Sequence, residues 1–101
     1  GWWMVWFHQD WSLGSTAVNY IKHTWYFYNG SNWNTWLADS HHGKDSGFTY
    51  GQLDSTILVD IDNVSTKKIK VALHMSDQSV STRGSTDGDK TWFRFVRLGD
   101  T

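Results

Sequence analysis

The chain has 101 residues, a formal net charge of -1 and a pI near 6.5, which accommodates one domain with a modest core, because small domains bury a smaller share of their surface than large ones. That charge excludes the broad basic field on which non-specific nucleic-acid binding rests. With no cysteine, disulfides and thiolate metal sites are excluded as well.

All ten acids are aspartate, glutamate is absent, and Ser, Thr, Asn and Gly fill the gaps. Asp, Asn and Ser compete with the helix backbone through local hydrogen bonds, so this composition predicts strands and turns.

The opening "GWWMVWF" is apolar for seven residues before His8, Gln9 and Asp10. About twenty would be needed to cross a bilayer, and no basic residue precedes the run, so it fits neither a membrane anchor nor a signal peptide. Residues 2–7 read as a strand, and the abrupt apolar start is expected of the C-terminal part of a longer chain. "YIKHTWYFY" (20–28) is a second strand. Asn29 and Gly30 supply the positive φ values of a primed hairpin turn, which would bring residues 20–28 back onto Trp33–Leu37.

A short strand is expected near Phe48–Leu53. In "STILVDI", Ile57, Val59 and Ile61 share one face, and in "KKIKVALHM", Ile69, Val71, Leu73 and Met75 do the same. "NVST" (63–66) is short enough to join these runs as an antiparallel hairpin over 55–75. Residues 76–90 contain no apolar side chain but Val80 and read as an exposed loop. "TWFRFVRL" (91–98) closes the chain as a strand. Six or seven strands in one domain over 1–101 predict an all-β fold, an antiparallel, jelly-roll-like β-sandwich.

The chemistry-bearing residues gather in "YNGSNWNTWLADSHHGKDSG" (28–47). His41 and His42 are consecutive, so on an extended backbone their rings diverge, and Asp39 and Asp45 lack a calcium-loop spacing. A solvated loop pair is the expectation for the histidines, with no metal site and no cofactor. "DIDN" (60–63) and "DGDK" (87–90) resemble half a calcium loop. Without a nucleophile elbow or a glutamate pair, no catalytic residue is assigned and an enzyme is not expected.

Eight tryptophans are the strongest signal. Trp2, Trp6, Trp25 and Trp92 lie in strand patterns and suit a core or subunit interface. Trp2, Trp3 and Trp6 occupy both faces of one strand, which makes them the candidate oligomer interface. Trp33 and Trp36 flank a polar hairpin. Flat apolar rings beside hydrogen-bonding groups grip a sugar, so Tyr28, Asn29, Trp33, Trp36, Asp39, His41 and His42 are the candidate ligand site.

The closing "TWFRFVRLGDT" (91–101), preceded by "STRGSTDGDK", resembles the ends of tail-fibre proteins of tailed bacteriophages, and "STILVDIDNVSTKKIKVALHMSD" fits the same picture. The resemblance covers roughly residues 50–101. It implies a compact β head that forms a homotrimer at a fibre end on the virion surface and meets lipopolysaccharide or another bacterial glycan. The near-neutral charge and the short apolar opening separately predict no nucleic-acid partner and no membrane insertion. Two alternatives use the same residues: a purely structural trimerisation or capping head, and a monomeric carbohydrate-binding module of a secreted enzyme.

Overall fold

The computed structural model describes residues 1–13, 19–42, 50–77, 80–84 and 90–101, with the backbone alone described for 35–42. Among the described residues the chain forms seven strands and no helix: β1 (Trp2–Ser12), β2 (Ile21–Tyr28), β3 (Trp33–His42), β4 (Tyr50–Asp60), β5 (Lys68–Met75), β6 (Ser81–Thr82) and β7 (Trp92–Gly99). All pairings are antiparallel.

Two sheets result. In one, β1 is central, with β4 along one side and β7 then β6 along the other. In the other the order is β3-β2-β5. Their inner faces share the core, giving a β-sandwich-like, all-β architecture.

Alternation decides which residues meet there. Odd positions of β1 point inward, so Val5 and Phe7 join Trp25, Ile57 and Val59 in one buried cluster, with Trp3, Phe27, Ile61, Ile69 and Val71 packed against it. Trp11, Leu13, Ile21 and Val80 form a second, supported by Leu53 and Met75. Because each fully buried large side chain contributes about 1.5–3 kcal/mol, these two clusters are the main source of stability.

Several expectations are corrected by the topology. Residues 55–75 are no hairpin: β4 pairs with β1 and β5 with β2. The apolar faces of β4 and β5 meet the same cluster from opposite sheets, an arrangement that side-by-side pairing would forbid. The connection at Asn63 therefore arches from one sheet to the other, and is stapled by Thr66 and Lys67 N–H groups donating to the Asn63 carbonyl at 3.2 and 2.8 Å.

The two segments expected over 48–61 are one strand, β4, with Asp54 and Ser55 in its middle. Its proposed start at Phe48 lies outside the described residues. Strand β1 runs five residues past Phe7 because Gln9 and Asp10 are buried with hydrogen-bond partners rather than solvated.

The 76–90 segment, where described, is anchored rather than a free loop. Val80 is buried in the second cluster, Ser76 Oγ accepts from the Asn19 and Tyr20 N–H groups, and Ser81–Thr82 pairs with the end of β1. Arg83 then bridges to the Asp10 carboxylate at 3.3 Å. One buried valine and one ion pair thus outweigh the polar composition. Most of "DGDK" (87–89) lies outside the described residues.

Gly51 faces Trp11 across β4 and β1. The indole lies over the glycine so closely that a Cβ there would stand 2.5 Å from the ring. Trp11 is fully buried and cannot retreat. Gly51→Ala is accordingly expected to lower stability by about 1–3 kcal/mol, the usual range for overpacking, read as a fall in the urea midpoint with an unchanged slope. A variant as stable as the parent would show that the ring is not held against the strand.

The sandwich is closed on one side and open on the other. Strand β3 packs over β4, whereas the backbones of β5 and β7, among the described residues, stay apart. An apolar cleft of about 320 Å³ opens at this seam, lined by Trp3, Val59, Ile61, Val64, Ile69 and Phe95 among others. Phe93 and Phe95 are 47% and 55% exposed although they stand on the inner face of β7.

Candidate functional site

The β2–β3 hairpin carries the best-formed part of the expected ligand site. Asn29 Oδ1 accepts from the N–H groups of Ser31 and Asn32 at 2.9 and 3.0 Å, and Gly30 takes φ +106°, a region that favours glycine. Gly30 alone supplies the positive φ; Asn29 does not share it. A four-residue loop, 29–32, replaces the expected two-residue primed turn, since the Asn29 N–H donates to the Asn32 carbonyl at 3.1 Å.

This loop sets Tyr28 directly opposite Trp33. Their ring centroids are 5.3 Å apart with planes at 45°, and Trp33 is 40% exposed. On the same outer face β5 contributes lysines, because Lys68 pairs with Tyr28 and Lys70 with Tyr26. Lys70 Nζ lies 4.2 Å from the Trp33 ring centroid and 5.2 Å from that of Tyr26, and Lys68 Nζ lies 5.7 Å from that of Tyr28. Aromatic faces edged by ammonium donors can stack on the C–H face of a sugar and bind its hydroxyl or anionic groups.

The remaining expected residues are not gathered around this pair. Asn29 is at the tip, its carbonyl side-chain oxygen engaged in the turn. Along β3 the register places Asp39 opposite Thr24, His41 opposite Lys22 and His42 opposite Ile21. Tyr28 and Ile21 are at the two ends of β2, about 23 Å apart at the rise of an extended strand, so Trp33 and the histidines lie at opposite ends of the sheet. His41 and His42 are strand residues, where a loop pair was expected, because β3 continues to pair with β2 as far as Ile21. Trp36 falls in an irregularity in which residues 35–37 face only Tyr26. The side chains of Trp36, Asp39, His41 and His42 are outside the described residues, as is Asp45.

The candidate interface trio is divided by alternation. Trp3 points inward and lines the open apolar cleft, while Trp2 and Trp6 stand on the outer face, 42% and 37% exposed. Trp92 is half-buried beside Trp6. Trp25 is fully buried, at the core position its strand pattern predicts.

Sequence reasoning missed a polar chain through the core. Gln9 Nε2 donates to Thr82 Oγ1 at 2.8 Å, which leaves Gln9 Oε1 as the acceptor for His23 Nε2–H at 2.7 Å. His23 Nδ1 is then the acceptor for the Ser55 hydroxyl at 2.8 Å, and Ser55 Oγ accepts the indole N–H of Trp25 at 3.1 Å. Ser, His and Gln in sequence order give no hint of this, because they come from three strands. Although the trio has a hydrolase-like order of groups, Gln9 and His23 are fully buried and Ser55 nearly so, which leaves no path for a substrate. It ties the two sheets together. Burial lowers the His23 pKa from 6.5 to about 4, with the Asp54 charge opposing the shift and His8 adding to it.

A polar cleft of about 320 Å³ is formed by Asp10, Tyr50, Gly51, Gln52 and Arg83, with the Arg83 guanidinium 3.8 Å from the Tyr50 ring centroid. No group of three or more metal-ligating side chains occurs among the described residues. In comparisons with known proteins, this chain matches no family model, no curated protein and no solved structure.

Proposed function

We propose that this domain is a non-enzymatic head of a bacteriophage tail fibre, a jelly-roll-like sandwich that assembles as a homotrimer at the virion surface and binds a bacterial surface glycan such as lipopolysaccharide. The observation that carries the reading is the division of the aromatic surplus into two kinds of surface. The Tyr28–Trp33 pair is exposed among lysines and polar loop residues, which suits a glycan. Phe93 and Phe95 are exposed on an open apolar seam, which suits a neighbouring subunit, since apolar surface of this kind is normally covered. The sequence "TWFRFVRLGDT" that resembles fibre ends forms β7, the strand that borders this seam.

Light scattering on the purified chain is expected to give three times 11.7 kDa. Trp33→Ala is expected to abolish binding to cells or to their isolated polysaccharide while leaving that mass unchanged and stability within about 0.5 kcal/mol of the parent, as for exposed substitutions generally. Full binding by both Trp33→Ala and Trp36→Ala would remove this platform from the reading.

The structural alternative, a head whose aromatics serve only assembly, is favoured by the apolar seam alone. It requires Trp33 to be buried in the assembled oligomer. Quenching of Trp33 fluorescence by iodide, compared between the oligomer and Trp33→Phe, separates the two: an inaccessible ring supports the structural head.

A further inference from the structure

The outer face of the β4-β1-β7 sheet carries a compact array that neither the aromatic pair on the other sheet nor the apolar seam explains. Its register is explicit. One cross-strand row reads Asp54, His8, Trp92 and the next reads Thr56, Trp6, Arg94. Rows two residues apart and strands one spacing apart give the array an extent of about 7 by 10 Å, the footprint of a single sugar ring with its hydroxyls.

The contacts within it fix the groups in place. Asp54 Oδ1 accepts the Trp6 indole N–H at 3.0 Å and engages His8 Nδ1 at 2.6 Å. His8 stacks on Trp92 with centroids 5.1 Å apart and planes at 15°. Trp92 meets Trp6 edge to face at 5.6 Å and 60°, and the Arg94 guanidinium lies 4.4 Å from the Trp92 centroid. The Trp6 ring is thus braced on two sides and still 37% exposed. Asp54 Oδ2 and the Arg94 guanidinium have no hydrogen-bonding or ionic partner among the described residues, and the Asp54 side chain is half exposed.

We propose that this array is a second carbohydrate site, which receives the C–H face of a neutral hexopyranose on Trp6 and its hydroxyls on Asp54 and Arg94. Three features select that ligand. The groups that are held rigid lose little freedom on binding, and preorganisation of this kind favours small polar ligands. One carboxylate and one guanidinium offset each other, so the array favours an uncharged ligand rich in both donors and acceptors over an anion. A protein neighbour packed on the same spot would have to bury both charges, which interface cores avoid. The polar cleft at Asp10, Gln52 and Arg83 begins one row farther along β1 and β4, leaving room for a second sugar residue.

The site is independent of the Tyr28–Trp33 platform, which lies on the other sheet, and shares with the proposed function only the class of ligand. Saturation-transfer NMR and calorimetric titration with the methyl glycosides of glucose, galactose and mannose test it directly. At least one is expected to bind the parent chain. Asp54→Ala and Arg94→Ala are each expected to weaken that binding about tenfold or more, the effect of losing a hydrogen bond to a charged group, while Trp33→Ala leaves it unchanged and light scattering shows the parent mass for all three variants. Absence of binding by all three glycosides overturns the proposal even if Trp33-dependent polysaccharide binding persists. So does a change of mass in Asp54→Ala or Arg94→Ala, which would mark the face as a subunit contact. Loss of polysaccharide binding in Trp33→Ala with glycoside binding intact supports both sites.

Discussion

Trp25→Ala is expected to remove about 3–5 kcal/mol of stability, the range for truncating a buried large aromatic side chain. The indole is fully buried and edges onto Phe7 and Phe93, with centroid separations of 6.5 and 6.2 Å. Its N–H supplies one end of the polar chain by donating to Ser55, so truncation both opens a cavity between the sheets and withdraws a hydrogen bond from a buried oxygen. With a urea slope of about 1–3 kcal/mol per molar, the midpoint should fall by roughly 2 M. Against a total stability of about 5–15 kcal/mol for a domain of this kind, the loss can unfold a large fraction of the population. The contrast with Trp33→Ala, which leaves stability nearly unchanged, is the sharper test: equal losses for both would mean that the hairpin aromatic is as much a core residue as Trp25.

The second large effect is one of pH. In the unfolded chain His23 titrates near 6.5, and in the folded chain burial lowers this to about 4. The folded state therefore favours the neutral ring. Its stabilising contribution is complete above pH 6.5, declines as the pH falls towards 4, and is lost once both states are protonated. Integrated over that window, the shift amounts to about 3 kcal/mol at 1.36 kcal/mol per pH unit. Urea midpoints measured between pH 7 and 4 should fall steadily, and the imidazole resonances of His23 should not move until the pH drops well below 6. His23→Gln should flatten the curve in this window. A His23 resonance that titrates near 6.5 in the folded chain would contradict the burial-driven shift.

The strand content was legible because alternation is a local property. Ile57 and Val59 mark the buried face of β4, with Ile61 packed against the same cluster just past its end, and the Asn29–Gly30 pair marks the β2–β3 hairpin, where Tyr28 and Trp33 meet. Partner choice was not legible. The same alternation that identifies β4 and β5 is compatible with their lying side by side or face to face, and the decision rests on how both fill a shared core with Trp25 and Phe7.

Hydropathy also failed where burial is polar. Gln9 and His23 are among the most buried of the described residues, yet the hydrophilic character of Gln9 truncated the expected first strand at Phe7, and that of both hid a chain of hydrogen bonds. For the candidate site the sequence could pair neighbours across one turn, as with Tyr28 and Trp33. It could not bring Asp54, His8 and Trp92 into one row, because each belongs to a different strand and the row exists only once β1 has found both of its partners.

The position of β1 bears on how the molecule comes into being. Its two long neighbours are β4 and β7, and the second of these sets Trp6 beside Arg94, a pairing that closes almost the whole chain into a ring. Contacts of such long sequence separation place the domain among slow folders, with times of milliseconds to seconds, and among the described strands the β2–β3 hairpin is the one that can form early from local information. Of the seven described strands β1 is made before the others and β7 after them, so the first sheet is incomplete until translation has passed β7. Until then one edge of the aromatic strand β1 is left without its long partner, and an unpaired apolar edge is a template for pairing with other chains.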